Sequence, residues 1–179
     1  MIPKISNKRG CVDVSFKGVN LINANCSWFY NYKPINDRNI PTDISTFVPM
    51  IKNESYLKKA IDTNTLSINP LYLLSANEPD MKDGLNQIPL DDMLILHQKI
   101  EQLCNPINLG SPAMTRQYGF EYLTKFLEGN DSYKPRVDFI VIHWYNFNAN
   151  EFINYVDLYY TTIHKPIWIT EFSIEDWGK

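Results

Sequence analysis

The feature that most constrains the fold is an alternation. Short β-rich runs recur along the chain, separated by stretches that are polar or carry a helical period. Strand and helix patterns that alternate in this way describe successive βα units, whose helices cross over between parallel strands. Seven such runs are predicted as strands, at residues 12–16, 26–30, 46–51, 72–76, 107–111, 139–145 and 166–171. Between the fourth and fifth, "LDDMLILHQKIEQLC" places Met93, Leu96, Ile100 and Leu103 on one face, with Asp91 and Asp92 in the first turn. Between the fifth and sixth, "YGFEYLTKFLEG" aligns Phe120, Leu123 and Leu127 and ends on Gly129, a C-terminal cap. After the sixth, "NANEFINYVDLYYTTIH" aligns Phe152, Val156 and Tyr159 or Tyr160. The connections after the first two strands look too short for full helices.

No Gly/Ser or Pro-rich linker and no internal repeat divides the 179 residues, so 1–179 is read as one domain of α/β class. A net charge of -3 with no Lys/Arg stripe excludes nucleic acid as a partner. No run approaches the ~20 apolar residues of a membrane-spanning helix. The N-terminal "MIPKISNKRG" has no apolar segment behind it, so no secretory signal is read here, though removal beforehand stays open. Cys11, Cys26 and Cys104, odd in number and irregular in spacing, are read as buried thiols rather than a disulfide framework or zinc ligands. The missing signal and the odd cysteine count lean away from secretion and leave the compartment open. Asn25, Asn53 and Asn130 each open a glycosylation triplet, a pattern that also arises by chance. Aromatic residues, 13% of the chain, gather near the ends of apolar runs, which suits a surface that stacks on sugars.

In a parallel α/β barrel the active site collects at the C-terminal ends of the strands. The fourth predicted strand ends in "LLSANEPD", with Asn77 and Glu78 before Pro79, and the seventh ends in "PIWITEF", with Glu171. Pro79 is expected to hold Glu78 in extended geometry. The two glutamates are about three βα units apart at ~30 residues a unit, which in an eight-stranded barrel puts them across the mouth from each other. Two carboxylates so placed suit glycoside hydrolysis. On the sixth strand the two-residue period puts His143 and Tyr145 on one face, from which Tyr145 could hydrogen-bond Glu171. A core histidine satisfied by a neighbour is the plainer reading of His143. Tyr30, Asn31, Tyr32 and Trp177 stand at strand ends as candidate sugar contacts or as plain packing, and Asp80 either caps a turn or touches substrate.

The motifs "SWFYNY", "FVPMI", "LLSANEPD", "LGSPA", "DFIVIHWY" and "KPIWITEF", in this order, resemble glycoside hydrolase family 128, the Asl1-like glycosyl hydrolases of clan A. The resemblance runs from Arg9 to about Trp177. It implies a (β/α)8 TIM barrel and retaining hydrolysis of β-1,3-glucan without metal or organic cofactor. By the same resemblance Glu78 is the acid/base, Glu171 the nucleophile and Asn77 a ligand of the sugar 2-hydroxyl. His143, Tyr145, Tyr30, Asn31, Tyr32 and Trp177 are its substrate-binding candidates. Tyr32 and Lys52 stand where the family commonly has Trp, so subsite preference is expected to differ. The family continues through an eighth strand, so the barrel is expected to be truncated after the seventh, as a fragment, a shortened version or a chain completed by a second copy. The rivals to an enzyme are a non-catalytic glucan-binding protein and an inactive remnant.

Overall fold

The computed structural model describes residues 6–12, 24–37, 45–82, 86–104 and 106–174. Within them seven strands and four α-helices follow one another: β1 Ser6–Val12, β2 Cys26–Tyr30, β3 Thr46–Phe47, α1 Glu54–Asp62, β4 Tyr72–Leu73, α2 Leu90–Leu103, β5 Asn108–Leu109, α3 Gly119–Glu128, β6 Ile140–Tyr145, α4 Ala149–Ile163 and β7 Ile167–Ser173. The expected α/β alternation is present, with strands three to five shorter than their apolar runs. Residues 13–16 of the first expected strand lie outside the described residues, and β1 is built from the polar segment before them.

All the pairings are parallel: β1 with β2, β2 with β3, β4 with β5 and β6 with β7. Parallel bridges Met50 to Leu74 and Gly110 to Phe139 carry the ladder across the remaining gaps, so the strands lie in chain order. Among the described residues no backbone ladder joins β7 back to β1, although the two approach each other.

The middle of this sheet is buried on both faces, as its near-continuous apolar runs require. On the helix side Ile51, Leu73, Leu109, Ile140 and Ile142 pack against Leu57, Met93, Ile100, Leu123, Phe126 and Tyr159. On the other side Tyr30, Val48, Met50, Leu74, Ala113, Phe139 and Val141 form one cluster with Trp28, Tyr72 and Trp168. That inner cluster draws on every strand region from β2 to β7, which a flat sheet cannot do, so the sheet curls around it. Trp168 sits at its centre, with ring centroids 4.9 Å from Trp28, 4.8 Å from Tyr72 and 4.7 Å from Phe139.

The helices depart from expectation in three places. α1 was not legible as a helix, yet Asn53 caps it by accepting from the Tyr56 amide, and Leu57 and Ala60 bury its apolar face. In α2 the buried residues are Met93, Leu94, Leu96, His97 and Ile100, whereas Leu103 is exposed. In α4 Tyr159 is buried and Tyr160 exposed, which resolves that alternative. Gly129 does close α3, at φ 70°, where a Cβ would come within 2.3 Å of the Tyr133 carbonyl.

The cysteine reading is corrected. Cys11 and Cys26 form a disulfide between adjacent strands, with Cα atoms 6.3 Å apart, and only Cys104 is a buried thiol. Spacing along the chain cannot show that β1 and β2 lie side by side, and the odd-cysteine argument against secretion falls with the pairing. No helix among the described residues is long and apolar enough to cross a membrane.

Candidate active site

Strand ends bring five of the expected residues to one place. Glu78 follows β4, His143 and Tyr145 end β6, Glu171 lies in β7, and Tyr32 follows β2. Tyr145 donates to Glu171 Oε2 at 2.6 Å and Tyr32 to Glu171 Oε1 at 2.8 Å. The Tyr30 hydroxyl lies 3.5 Å from the same Oε1 and donates to the Thr170 carbonyl at 3.1 Å. His143 Nδ1 is 2.8 Å from Glu78 Oε1, while its Nε2 is 3.0 Å from Thr170 Oγ1 and 3.6 Å from Glu171 Oε1. One donor atom from each of Glu78, His143 and Glu171 lies within 4.8 Å of the other two. Such a trio can serve as a metal cradle. Here both ring nitrogens and both Glu171 oxygens already have protein partners.

Burial pushes the hydroxyl pKa values of Tyr30, Tyr32 and Tyr145 up, and the Glu171 carboxylate adds to the rise. All three phenols therefore stay protonated as donors across the working pH range. Tyr32 and Tyr145 thus each commit a charge-assisted hydrogen bond to the Glu171 carboxylate, one on each oxygen.

The backbone of Glu78 corrects one expectation. Its φ is 50°, in the left-handed region rather than extended, and Tyr32 sits at φ 59°. Non-glycine residues held there store about 1–3 kcal/mol each and cluster at functional sites. The strain at Glu78 is held by its amide, which donates to the Ala113 carbonyl at 2.9 Å, and by its own carbonyl, which accepts from the Met81 amide at 3.2 Å. The extended preference that Pro79 gives its neighbour is overridden by the bond to Ala113 and the turn closed by Met81.

The other candidates are distributed differently. Asn77 is buried, and its Oδ1 has no partner among the described residues. Asn31 is occupied within its own loop: its amide nitrogen donates to the Ile35 carbonyl and Asp37, and its oxygen accepts from the Lys33 amide. Tyr30 is fully buried, so it reaches Glu171 from behind. Trp177 lies outside the described residues.

A cleft of about 750 Å³ opens over the pair, lined by Glu78, His143, Tyr145 and Glu171 and, on the β4 and β5 side, by Lys82, Arg116 and Tyr118. Sequence reasoning missed this second wall. Its anchor is Asp80, whose carboxylate accepts from the Thr115 amide at 3.1 Å and from the Thr115 hydroxyl, tying the loop after Glu78 to residues 115–118. Asp80 thus holds two loops together rather than merely capping a turn. Lys82 Nζ stands 4.3 Å from the centre of the exposed Tyr118 ring.

The sequence profile of the glycosyl hydrolase catalytic core matches residues 11–179. The chain belongs to that family. It is a glycoside hydrolase, and its likeness to family 128 is borne out by solved structures. An endo-β-1,3-glucanase of family 128 subgroup I from Amycolatopsis mediterranei, solved with laminaritriose, superposes with a TM-score of 0.81 at 28% identity, over 97% of this chain and 74% of that one. A subgroup II endo-β-1,3-glucanase from Sorangium cellulosum gives 0.77 at 25% identity, over 96% of this chain and 76% of that one. A curdlan-specific exo-β-1,3-glucanase of subgroup III from Blastomyces gilchristii gives 0.76 at 25% identity, over 95% and 77%. The Amycolatopsis enzyme was also solved as glutamate variants with laminari-oligosaccharides bound. Among curated proteins nothing matches.

Proposed function

We propose that this glycoside hydrolase cleaves β-1,3-glucan with retention of configuration, using Glu78 as acid/base and Glu171 as nucleophile. The observation that carries the mechanism is the approach of a Glu78 oxygen to a Glu171 oxygen within 4.8 Å. Retaining enzymes hold their carboxyl groups about 5–5.5 Å apart, whereas inverting enzymes leave about 6.5–9.5 Å for a water. The β-1,3 linkage is taken from the enzymes whose folds this chain shares. The curled sheet of seven parallel strands is in this reading seven strands of a (β/α)8 barrel, and residues 1–179 belong to one catalytic domain.

In the first step Glu171, ionised and aimed by Tyr32 and Tyr145, attacks the anomeric carbon as Glu78 protonates the departing glycosidic oxygen. In the second, Glu78 as carboxylate takes a proton from water, which hydrolyses the glycosyl ester. Asn77, next to Glu78, is in this reading the ligand of the sugar 2-hydroxyl; its buried Oδ1 has no partner among the described residues. Tyr118, with Lys82 beside it, offers an exposed ring on which a glucosyl unit can stack.

Glu171→Gln tests the assignment. The isostere should remove at least 99% of turnover on soluble laminarin, by about the 10²–10⁴-fold typical of a lost catalytic group, while laminarihexaose binding by calorimetry stays near the parent's. Parent-like turnover in the variant would sink the nucleophile, and a parent that binds without turnover would make the chain a glucan-binding protein. Proton NMR of the first-formed product should show the β-anomer.

A further inference from the structure

Thr170 stands where β7 breaks its two-residue period. Ile169 pairs with Ile142 and Glu171 with His143, so Thr170 is the extra residue of a β-bulge. Ile169 is exposed, whereas Thr170 is buried, so the bulge turns Thr170 and Glu171 toward the same interior. The Tyr30 hydroxyl holds the Thr170 carbonyl, and Thr170 Oγ1 meets His143 Nε2 at 3.0 Å. His143, 1% exposed, therefore connects Thr170 at one ring nitrogen to Glu78 at the other.

A neutral imidazole has one N–H and one acceptor nitrogen, and which is which matters here. With the proton on Nε2, Nδ1 would be an acceptor. It would draw the acid proton of Glu78 onto Oε1, away from the bond to be cleaved, and would then face an ionised carboxylate lone pair to lone pair in the second step. With the proton on Nδ1, the ring donates to Oε1 in both steps, and the acid proton sits on Oε2. That oxygen accepts no hydrogen bond among the described residues. Selecting Nδ1–H takes a donor at Nε2, and the Thr170 hydroxyl is the group there that can donate, since the nearby Glu171 oxygen only accepts.

Resting on the retaining reading above, we propose that Thr170 is a positioning residue: its hydroxyl donates to Nε2, holds His143 as the Nδ1–H tautomer, and so keeps the acid proton on the Glu78 oxygen that His143 leaves free.

Nitrogen-15 NMR of the parent protein tests this without any turnover. The expected result is a pyrrole-type Nδ1 and a pyridine-type Nε2 for His143; a pyrrole-type Nε2, alone or in both positions, overturns the proposal. Kinetics of Thr170→Val and Thr170→Ser supply the second arm. The valine variant should lose about tenfold or more in kcat on laminarin, within the span of a general-acid contribution, with KM little changed. It should keep a near-parent kcat/KM on a dinitrophenyl laminaribioside, a constant that covers only the first step, whose leaving group needs no acid. Serine should restore the laminarin rate. Equal losses on both substrates, parent-like valine kinetics, or a serine variant as slow as the valine one would overturn it. If the parent cleaves neither substrate the retaining reading fails instead, and the ring resonances still decide the tautomer.

Discussion

Tyr145 donates the shortest of the hydrogen bonds to Glu171, and it comes from a strand whose pattern could be read directly. The two-residue period of "IHWY" puts His143 and Tyr145 on one face, and the structure has both at the glutamates while Trp144 packs on Phe152 and Tyr155 of α4. Tyr145→Phe removes one donor to a charged group, a loss of about 1.5–3 kcal/mol. In the proposed mechanism that corresponds to a roughly 10–150-fold fall in kcat, measured on laminarin, with the melting temperature nearly unchanged; a variant within twofold of the parent would show that Tyr32 alone suffices. Thr170 and the left-handed turn at Glu78 were not legible, because a bulge and a positive φ are imposed by partners distant in the chain.

At the scale of the element, α2 shows how a helix can be located correctly and its face misjudged. The apolar stripe suggested Leu103, whereas a buried position six residues earlier is taken by His97. Its Nε2–H donates to the Arg136 carbonyl at 2.9 Å, and Nδ1 faces Ser75 Oγ at 3.5 Å, which ties α2 to the segment before β6 and to the residues after β4. Burial lowers the His97 pKa below its ordinary 6.5, so the folded protein holds this ring neutral. A depressed folded value means that the unfolded chain binds the proton more readily. The contribution to stability is therefore complete above about pH 6.5 and is lost as pH falls through the lowered folded value. Urea midpoints should decline on acidification across that window, and His97→Gln should flatten this part of the decline; an unchanged slope would assign it to other groups. At the end of α3, Gly129→Ala should destabilise by more than ~1 kcal/mol, since a Cβ is strained at that φ and meets the Tyr133 carbonyl.

At the scale of the whole molecule, the disulfide adds to the stability of the packed core. Cys11 and Cys26 close a loop of 15 residues, for which chain-entropy arguments give ~3 kcal/mol. Reduction, or Cys11→Ala with Cys26→Ala, should lower unfolding free energy by about that amount in urea titrations. Under non-reducing denaturing conditions one thiol should react, Cys104, whose folded-state pKa burial pushes up to about 12; three reactive thiols would refute the pairing. Dialysis against EDTA should leave laminarin hydrolysis unchanged, because the Glu78, His143 and Glu171 donors are engaged by one another, by Thr170 and by tyrosines. Loss of activity restored by a divalent ion would turn the same cluster into a metal centre.

Periodicity and strand-end chemistry were properties of the chain read locally: the parallel α/β order, the three later helices, and the placing of Glu78, Glu171, His143 and Tyr145 at the ends of apolar runs. These follow from patterns a few residues long, in which a side chain's face is set by its neighbours' backbone. The partner of Cys11, the bulge at Thr170, the strained turn at Glu78, the Asp80 to Thr115 tie and the burial of His97 were settled by contacts between segments far apart. Each of them depends on which strands become neighbours and how the sheet curls, and no local period carries that information.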